Sequence, residues 1–249
     1  MKHLAAALIA GLTLSLVPAV SHAATAAAGD PDYHRPTVGE CRNYDMAELF
    51  QQSSTSPTVD CAGRHTAKVL SVVTLPKRYT WATITMPEVN EILYRKCYPA
   101  WDAALGGSMR LRDLTTYTSG WYVPTKAEKR KGARWIRCDL IRYQGNKLAT
   151  LPTDIVPMLP SPPLPDDLAR CLVGKNFIWT TCNKRHQFRA TGTFVMKTKK
   201  YPSRKKFIKA GTKRCRNLVS SEDYRFSWPF DDRWKTGDHV VVCYSKTKH

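Results

Sequence analysis

The sequence predicts an α+β protein made of two small disulfide-bonded domains, each a short, mostly antiparallel sheet with one main helix, joined by a Pro-rich linker. A Cys-x3-His motif occurs twice, at residues 61–65 and 182–186. Downstream of each copy, a proline, a glycine and a cysteine recur with spacings of 8 and 6 residues. The 8 cysteines also divide equally between the two halves. Repeated spacings between otherwise different residues are typical of a duplicated domain.

The chain begins with a short basic segment, an apolar run over residues 4–17 and a small-x-small sequence that ends at Ala23. This order is typical of a secretory signal peptide, so we expect cleavage of residues 1–23 and a flexible lead-in over residues 24–36. An uncleaved anchor is the alternative. No other stretch approaches the roughly 20 apolar residues of a membrane span. We therefore expect a secreted or extracytoplasmic protein with no transmembrane span after cleavage.

Residues 37–144 are predicted to form the first domain. Pro87, followed by an acidic residue in the first turn, begins a helix whose apolar face carries Cys97. Pro99 is expected to end or bend that helix. Runs of β-branched and aromatic residues predict the strands, which cover residues 58–61, 67–75, 111–123 and 134–141.

Residues 145–166 contain many prolines and no convincing periodicity, which predicts an interdomain linker. Residues 167–249 are predicted to form the second domain. Its helix covers residues 203–215, with Ser203 as the N-cap, and its buried side is marked by Phe207, Ile208 and Cys215. The strands of this domain are predicted at residues 177–182, 194–196, 224–230 and 240–244.

An even number of cysteines in an exported chain predicts a disulfide framework. These residues are Cys41, Cys61, Cys97, Cys138, Cys171, Cys182, Cys215 and Cys243. Each half allows three pairings. In each half we favour a bond between the first and second cysteines and another between the third and fourth. The first two cysteines of the second half are 11 residues apart, and the strands that carry them can form a hairpin. The cysteine on the helix then meets the one on the last strand. Zinc is disfavoured, because no Cys-x2-Cys pair is present; we expect no metal and no cofactor.

The positive charge is concentrated in the second half. Residues 24–166 carry a net charge of +4, whereas residues 167–249 carry 20 basic and 6 acidic residues, or +14. A field of that size attracts polyanions. We therefore expect an anionic envelope polymer or surface as partner, with solubility as the competing explanation. No DNA- or RNA-binding motif is present, so specific nucleic-acid recognition is not expected.

The predicted helix of the second half places basic residues along one face, at steps of three to four residues. The candidate binding residues on it are Lys205, Lys206, Lys209, Lys213 and Arg216. Tyr201 and Trp234 are predicted to add stacking or sugar contacts. A solvated helix face with no ligand is the alternative interpretation.

His65 and His186 are the candidate catalytic residues to test first. A histidine base needs an acidic or carbonyl group to orient it. Lys68 stands three residues after His65, and Arg189 stands three residues after His186, and both of these residues are basic. The sequence also lacks the Gly-x-Ser-x-Gly and His-Glu-x2-His motifs. We therefore expect both histidines to cap the turn after the second cysteine, with ligand contact as the alternative, and we assign no catalytic residue.

Several of these motifs also carry a family resemblance. Gly39-x-Cys41, the two Cys-x3-His motifs and the final Trp234-x2-Gly-Asp-His-x3-Cys243 segment resemble the septum-formation-like domain of exported actinobacterial proteins. The resemblance covers nearly all of the chain after the predicted signal peptide, as two copies. It implies an envelope-associated, disulfide-bonded domain. The family often has a glutamate where this chain has Lys68 and Arg189.

The leading hypothesis is an exported, envelope-associated, non-enzymatic protein linked to septum or cell-wall processes. Its second domain binds anionic polymers or surfaces. One alternative is a hydrolase of envelope glycan or peptide that uses His65 and His186. Another is a protein-interaction module of the division or wall machinery.

Overall fold

The computed structural model describes residues 29–153 and 159–247. The predicted signal peptide and the first part of the predicted lead-in lie outside the described residues. Within the described ranges, no helix has both the length and the apolar character that crossing a bilayer requires.

The first half of the chain forms an antiparallel sheet with helices on its connections. Its elements are β1 (Cys41–Arg42), α1 (Met46–Leu49), β2 (Thr58–Val59), β3 (Ala67–Thr74), α2 (Met86–Ile92), a π-helical turn (Leu93–Cys97), α3 (Tyr98–Leu105), α4 (Met109–Arg112), β4 (Tyr117–Tyr122), α5 (Lys126–Arg130), β5 (Trp135–Gln144) and β6 (Lys147–Leu148). The strand order is β2-β1-β3-β5-β4, with β6 paired to β5. Strand β5 lies between β3 and β4, and most of its residues are therefore buried.

The second half forms a five-stranded antiparallel sheet of its own. Its elements are β7 (Arg170–Val173), β8 (Ile178–Thr181), β9 (Phe188–Val195), α6 (Arg204–Cys215), β10 (Tyr224–Ser227), α7 (Asp231–Lys235) and β11 (Val240–Lys246). The strand order is β10-β11-β9-β7-β8. The aliphatic residues at the start of β11 pair with β9 and are buried, and from Val242 onward β11 also pairs with β10.

The two sheets share one topology. In each half, the strands follow the spatial order second, first, third, fifth, fourth. A helical connection joins the third and fourth strands, and a short helix joins the fourth and fifth. Gly132 and Gly237 follow those short helices with φ angles of 103° and 101°, which favour glycine. This agreement supports duplication, and the two sheets confirm the predicted α+β class. We propose residues 37–144 and 167–249 as the two units, and β6, at residues 147–148, extends the first sheet just beyond the first unit.

The helix of the first half is longer than the sequence predicts. Helicity begins at Met86, with a capping box between Thr85 and Glu88, and continues through Pro99 to Leu105. Proline has no N–H to donate to the preceding turn, and the backbone adopts a π-helical turn immediately before it. Pro99 therefore neither ends the helix nor separates Cys97 from it.

Helix α6 agrees with the prediction except at one position. The Ser203 side chain accepts a hydrogen bond from the Lys206 amide, which confirms the N-cap. The buried face consists of Phe207, Gly211 and Cys215, spaced four residues apart. Ile208 was predicted to be buried and is 44% exposed. It lies one residue, or about 100° of helical rotation, from Phe207, and so it points away from the sheet.

The disulfide pairing is the favoured one. Bonds join the first cysteine to the second and the third to the fourth in each half, namely Cys41–Cys61, Cys97–Cys138, Cys171–Cys182 and Cys215–Cys243. No free cysteine occurs in the described part of the chain. In each half, one bond closes the hairpin of the first two strands. The other bond joins the helix to the fifth strand.

The two halves contact each other through backbone and side chains. An isolated bridge pairs Thr115 with Ala169, and the Arg170 amide donates to the Leu114 carbonyl at 2.7 Å. On the other side of the contact, the Gly145 amide donates to the Trp179 carbonyl at 2.8 Å. Leu114, from the first half, also belongs to the buried apolar cluster beneath β7 and β8. The second core is thus completed by a residue of the first half.

Both ends of the predicted linker pack against the folded units. Leu151 and Leu164 are buried, and the Leu151 amide donates to the His65 carbonyl at 2.9 Å. Arg189 pairs with the Asp166 carboxylate and donates to the Leu164 carbonyl. The described ends of this segment therefore lie on the two units.

Arg170, the first residue of β7, contacts the first half through its side chain. Its side chain is buried, its Nε donates to the Thr115 carbonyl at 2.6 Å, and its guanidinium lies 3.6 Å from the Trp179 ring centroid. A terminal nitrogen lies 3.7 Å from the Asp113 carboxylate. Burial raises the pKa of Asp113, and the charge of Arg170 opposes that rise.

Replacing Arg170 by methionine is expected to lower the free energy of unfolding by about 3 kcal/mol, because Asp113 stays buried and loses a cation. Arg112 and Arg233 also favour the charged form of Asp113 and limit the loss. Urea unfolding of the oxidised protein measures the effect, and Arg185→Met, at an exposed position, is the matched control. A loss equal to that of the control would contradict the role of Arg170.

Candidate functional site

Both candidate histidines close the turn that contains their own motif. The Nδ1 atom of His65 lies 2.9 Å from the Gly63 carbonyl, and that of His186 lies 2.7 Å from the Lys184 carbonyl. Because a carbonyl only accepts, Nδ1 of each ring carries the proton and donates. His65 is 0% exposed and His186 is 5% exposed. The geometry matches the predicted turn-capping role.

The residues downstream of the histidines do not orient them for catalysis. Arg189 is engaged with Asp166 and the Leu164 carbonyl, as described above. The two histidines follow corresponding hairpins of two different sheets. A fully buried His65 offers no surface to an approaching substrate. The Nδ1 atom of each histidine contacts a backbone carbonyl and not a hydroxyl or thiol group.

One cluster has the residue types of a metal site. Ligand atoms of Cys171, Cys182 and His186 lie within 4.8 Å of one another. A cysteine binds zinc as a thiolate, and these two sulfur atoms are bonded to each other in a disulfide. The cluster is therefore a disulfide beside the turn-closing histidine.

Five exposed basic residues on α6 and at its C-cap form one surface, which we call the basic face. It consists of Lys205, Lys206, Lys209, Lys213 and Arg216, all exposed. The helical period places them opposite the buried Phe207, Gly211 and Cys215. Within the described ranges, none of the five pairs with a carboxylate. Their charges are therefore available to an external anion.

The two aromatic candidates differ in accessibility. Tyr201 is partly exposed, and its hydroxyl donates to the Pro229 carbonyl at 3.2 Å. Trp234 is 1% exposed and packs against Phe207 and His239. The prediction of a ligand contact for Trp234 is corrected, because an aromatic ring on the inner side of α7 completes the core beneath α6. Tyr201 remains a candidate.

The final motif of the chain has a structural role in the turn before β11. A terminal nitrogen of Arg233 lies 2.7 Å from the buried Asp238 carboxylate, whose other oxygen accepts from the Val240 amide at 3.2 Å. His239 Nε2 lies 3.0 Å from the Trp234 carbonyl. Burial lowers the pKa of Arg233, but Asp238 together with Tyr98, Asp113 and Asp232 outweighs it, and the net shift of the pKa is upward. The motif therefore fixes the turn after α7.

Sequence reasoning missed a basic residue from the other half. Arg110, in α4, donates to the Thr193 carbonyl at 2.9 Å and therefore lies beside β9. It reaches the end of the basic face only because the two halves are in contact. No local pattern around Arg110 signals this position, since its partner is 83 residues away in the sequence.

The fold and the site define a duplicated, disulfide-stabilised α+β protein with a basic face on its second unit. Its four disulfides are typical of proteins that work outside the cytoplasm. A model of the family described as septum formation matches the chain at residues 19–120 and 87–243. The chain belongs to this family, and the two matches are consistent with tandem copies. No curated protein and no solved structure matches the chain.

Proposed function

We propose that the protein is exported, associated with the cell envelope and linked to septum or cell-wall processes, without enzymatic activity. We also propose that its second unit binds anionic polymers or surfaces. The observation that carries this proposal is the basic face, whose five exposed cations pair with no carboxylate among the described residues. The predicted signal peptide and the disulfides support export.

A binding role fits the chemistry better than hydrolysis does. Both histidines are buried, and the Nδ1 of each donates a hydrogen bond to a backbone carbonyl two residues upstream. The cysteines of both halves are bonded in pairs, so none is available as a nucleophile in the described part of the chain. The family description, septum formation, names no reaction.

Substituting Lys205, Lys209 and Lys213 together by glutamine is expected to weaken binding to an anionic polymer on the order of 100-fold. Each basic residue near an anionic surface contributes about 1 kcal/mol, and each 1.4 kcal/mol is tenfold in affinity. Fluorescence anisotropy with labelled long-chain polyphosphate and with a carboxylate polymer measures the change. Wild-type binding should also weaken steeply with added salt, because exposed charges are screened beyond about 8 Å at physiological ionic strength.

The matched control replaces three exposed lysines of the first half, Lys77, Lys126 and Lys147, by glutamine. It removes the same charge from a unit that carries only +4 in residues 24–166. An equal loss in both triple variants, or binding that is indifferent to salt, would show that the basic face is not the binding surface. Circular dichroism confirms that each variant keeps its fold.

A further inference from the structure

An open basin of about 480 Å³ lies at the C-terminal end of α6, next to the last residues of β9. Four cationic side chains line it: Arg110, Lys197, Lys213 and Arg214. The Asn217 side chain adds an amide, and no carboxylate is among the lining residues. The basin therefore concentrates positive charge from α4, α6 and the segment after β9.

The two arginines are held in place by the protein itself. Arg110 donates to the Thr193 carbonyl at 2.9 Å and to its hydroxyl at 3.2 Å. Arg214 donates to the Val195 carbonyl at 2.9 Å, and its guanidinium lies 4.2 Å from the Phe194 ring centroid. Because a guanidinium has five N–H donors, each arginine keeps donors for a ligand. Such pre-ordered groups lose little conformational freedom on binding.

The two lysines are free to adapt to a ligand. Lys197 and Lys213 are exposed, and within the described ranges neither forms an ion pair or a side-chain hydrogen bond. The C-terminal end of α6 contributes the equivalent of roughly −0.5 charge nearby, which opposes an anion. Four full positive charges outweigh that contribution.

We propose that this basin is the anchoring subsite for one phosphate group of the bound anion. A phosphate presents several oxygen acceptors around one centre, and arginine forks and lysine ammonium groups are suited to it. The positive charge of four convergent cations also exceeds the single negative charge of one carboxylate. The inference rests on the proposed function, and it assigns to Arg110, in the first unit, a direct role in ligand binding.

The test uses the full mature chain and a short probe, tripolyphosphate, in isothermal titration calorimetry. The double variant Arg110→Gln/Lys197→Gln is expected to weaken the binding of tripolyphosphate more than tenfold, because each lost cation should weaken it roughly fivefold. Lys205→Gln/Lys209→Gln, which leaves the basin intact, is expected to change it by about twofold or less because of screening. The single variant Lys197→Gln removes no described contact and keeps the test valid if the loss of Arg110 disturbs the fold.

Two further probes distinguish the sources of the phosphate. Long-chain polyphosphate represents a soluble polymer, and vesicles with phosphatidylglycerol represent a lipid headgroup. Dependence on Lys197 in the polymer arm assigns the subsite to a polymer, and dependence in the vesicle arm assigns it to lipid. Citrate, a carboxylate anion, should bind more weakly than tripolyphosphate and should respond less to Lys197→Gln.

The outcomes separate this inference from the broader proposal. Long-chain polyphosphate could bind with steep salt dependence while the basin variants lose no more affinity for tripolyphosphate than Lys205→Gln/Lys209→Gln does. That result would overturn the subsite and leave the proposal of the basic face in place. If neither the phosphate probes nor the carboxylate polymer binds, both proposals fail; if only the carboxylate polymer binds, the phosphate subsite is overturned and the basic face stands. Equal binding of citrate and tripolyphosphate would overturn the assignment to phosphate.

Discussion

Refolding without its disulfides is expected to leave the protein unfolded at 25 °C. The four bonds join residues separated by 20, 41, 11 and 28 positions. By the chain-entropy relation, such bonds contribute about 3 to 4 kcal/mol each, or on the order of 13 kcal/mol together. Native proteins are stable by only about 5 to 15 kcal/mol. Two small sheets with one main helical connection each leave little other core to replace them.

The experiment dilutes reduced, urea-unfolded chain into buffer with or without reductant. Near-ultraviolet circular dichroism should show native packing only in the oxidised sample. Variants in which both cysteines of one bond are replaced by serine give a graded control. The free energy of unfolding should fall about 1 kcal/mol further without the Cys97–Cys138 bond than without the Cys171–Cys182 bond, because the first bond closes a longer loop. Cooperative melting of the reduced protein at the temperature of the oxidised protein would contradict the expectation.

The duplication and the disulfide pairing were predictable because they depend on residues with strict positional needs. Gly132 and Gly237 both adopt a left-handed backbone conformation, so their spacing to the following cysteine is the same in both halves. The long strands β3, β5 and β11 were predicted from their β-branched and aromatic residues, and β5 and β11 are largely buried. Strand β1 was missed, since two residues carry too little periodicity, and β7 was expected only as the partner strand in the Cys171–Cys182 hairpin.

The parts that sequence reasoning missed depend on contacts between distant residues. A helical period correctly predicted the exposure of Lys205, Lys209 and Lys213, because exposure on a helix repeats locally. It gave no sign that Arg110 reaches β9, since that contact depends on how the two units pack together. Trp234 was misassigned for the same reason: its burial depends on the position of α7 over the core, which its neighbours do not indicate.

Replacing Arg137 by methionine is expected to lower the free energy of unfolding by about 4 kcal/mol, near the middle of the range for breaking a buried ion pair. Arg137 and Asp139 are both 1% exposed, on the central strand β5. The Arg137 Nε donates to the Asp139 carboxylate at 3.1 Å, and its guanidinium lies 4.5 Å from the Tyr122 ring centroid. The Tyr44 hydroxyl donates to the same carboxylate at 3.1 Å. The variant leaves Asp139 buried without its cation.

The sign of the pH dependence follows from the same pair. Burial raises the pKa of Asp139, and the Arg137 charge opposes that rise, so the variant should raise this pKa further. A carboxyl group whose pKa is higher in the folded state stabilises the fold at low pH, and this stability is lost as pH rises through the folded-state pKa. The destabilisation by Arg137→Met should therefore be larger at about pH 8 than at about pH 5.

Urea unfolding of the oxidised protein at both pH values measures these effects. The double variant Arg137→Met/Asp139→Leu is the control, because it removes both charges and should recover most of the stability lost in the single variant. Arg137→Met alone removes the same contact with Tyr122, so the difference between the two variants reports the uncompensated carboxylate, less the cost of leaving the Tyr44 hydroxyl without its acceptor in the double variant. A double variant as unstable as the single one, or a loss that does not change with pH, would show that packing and not charge determines the role of Arg137.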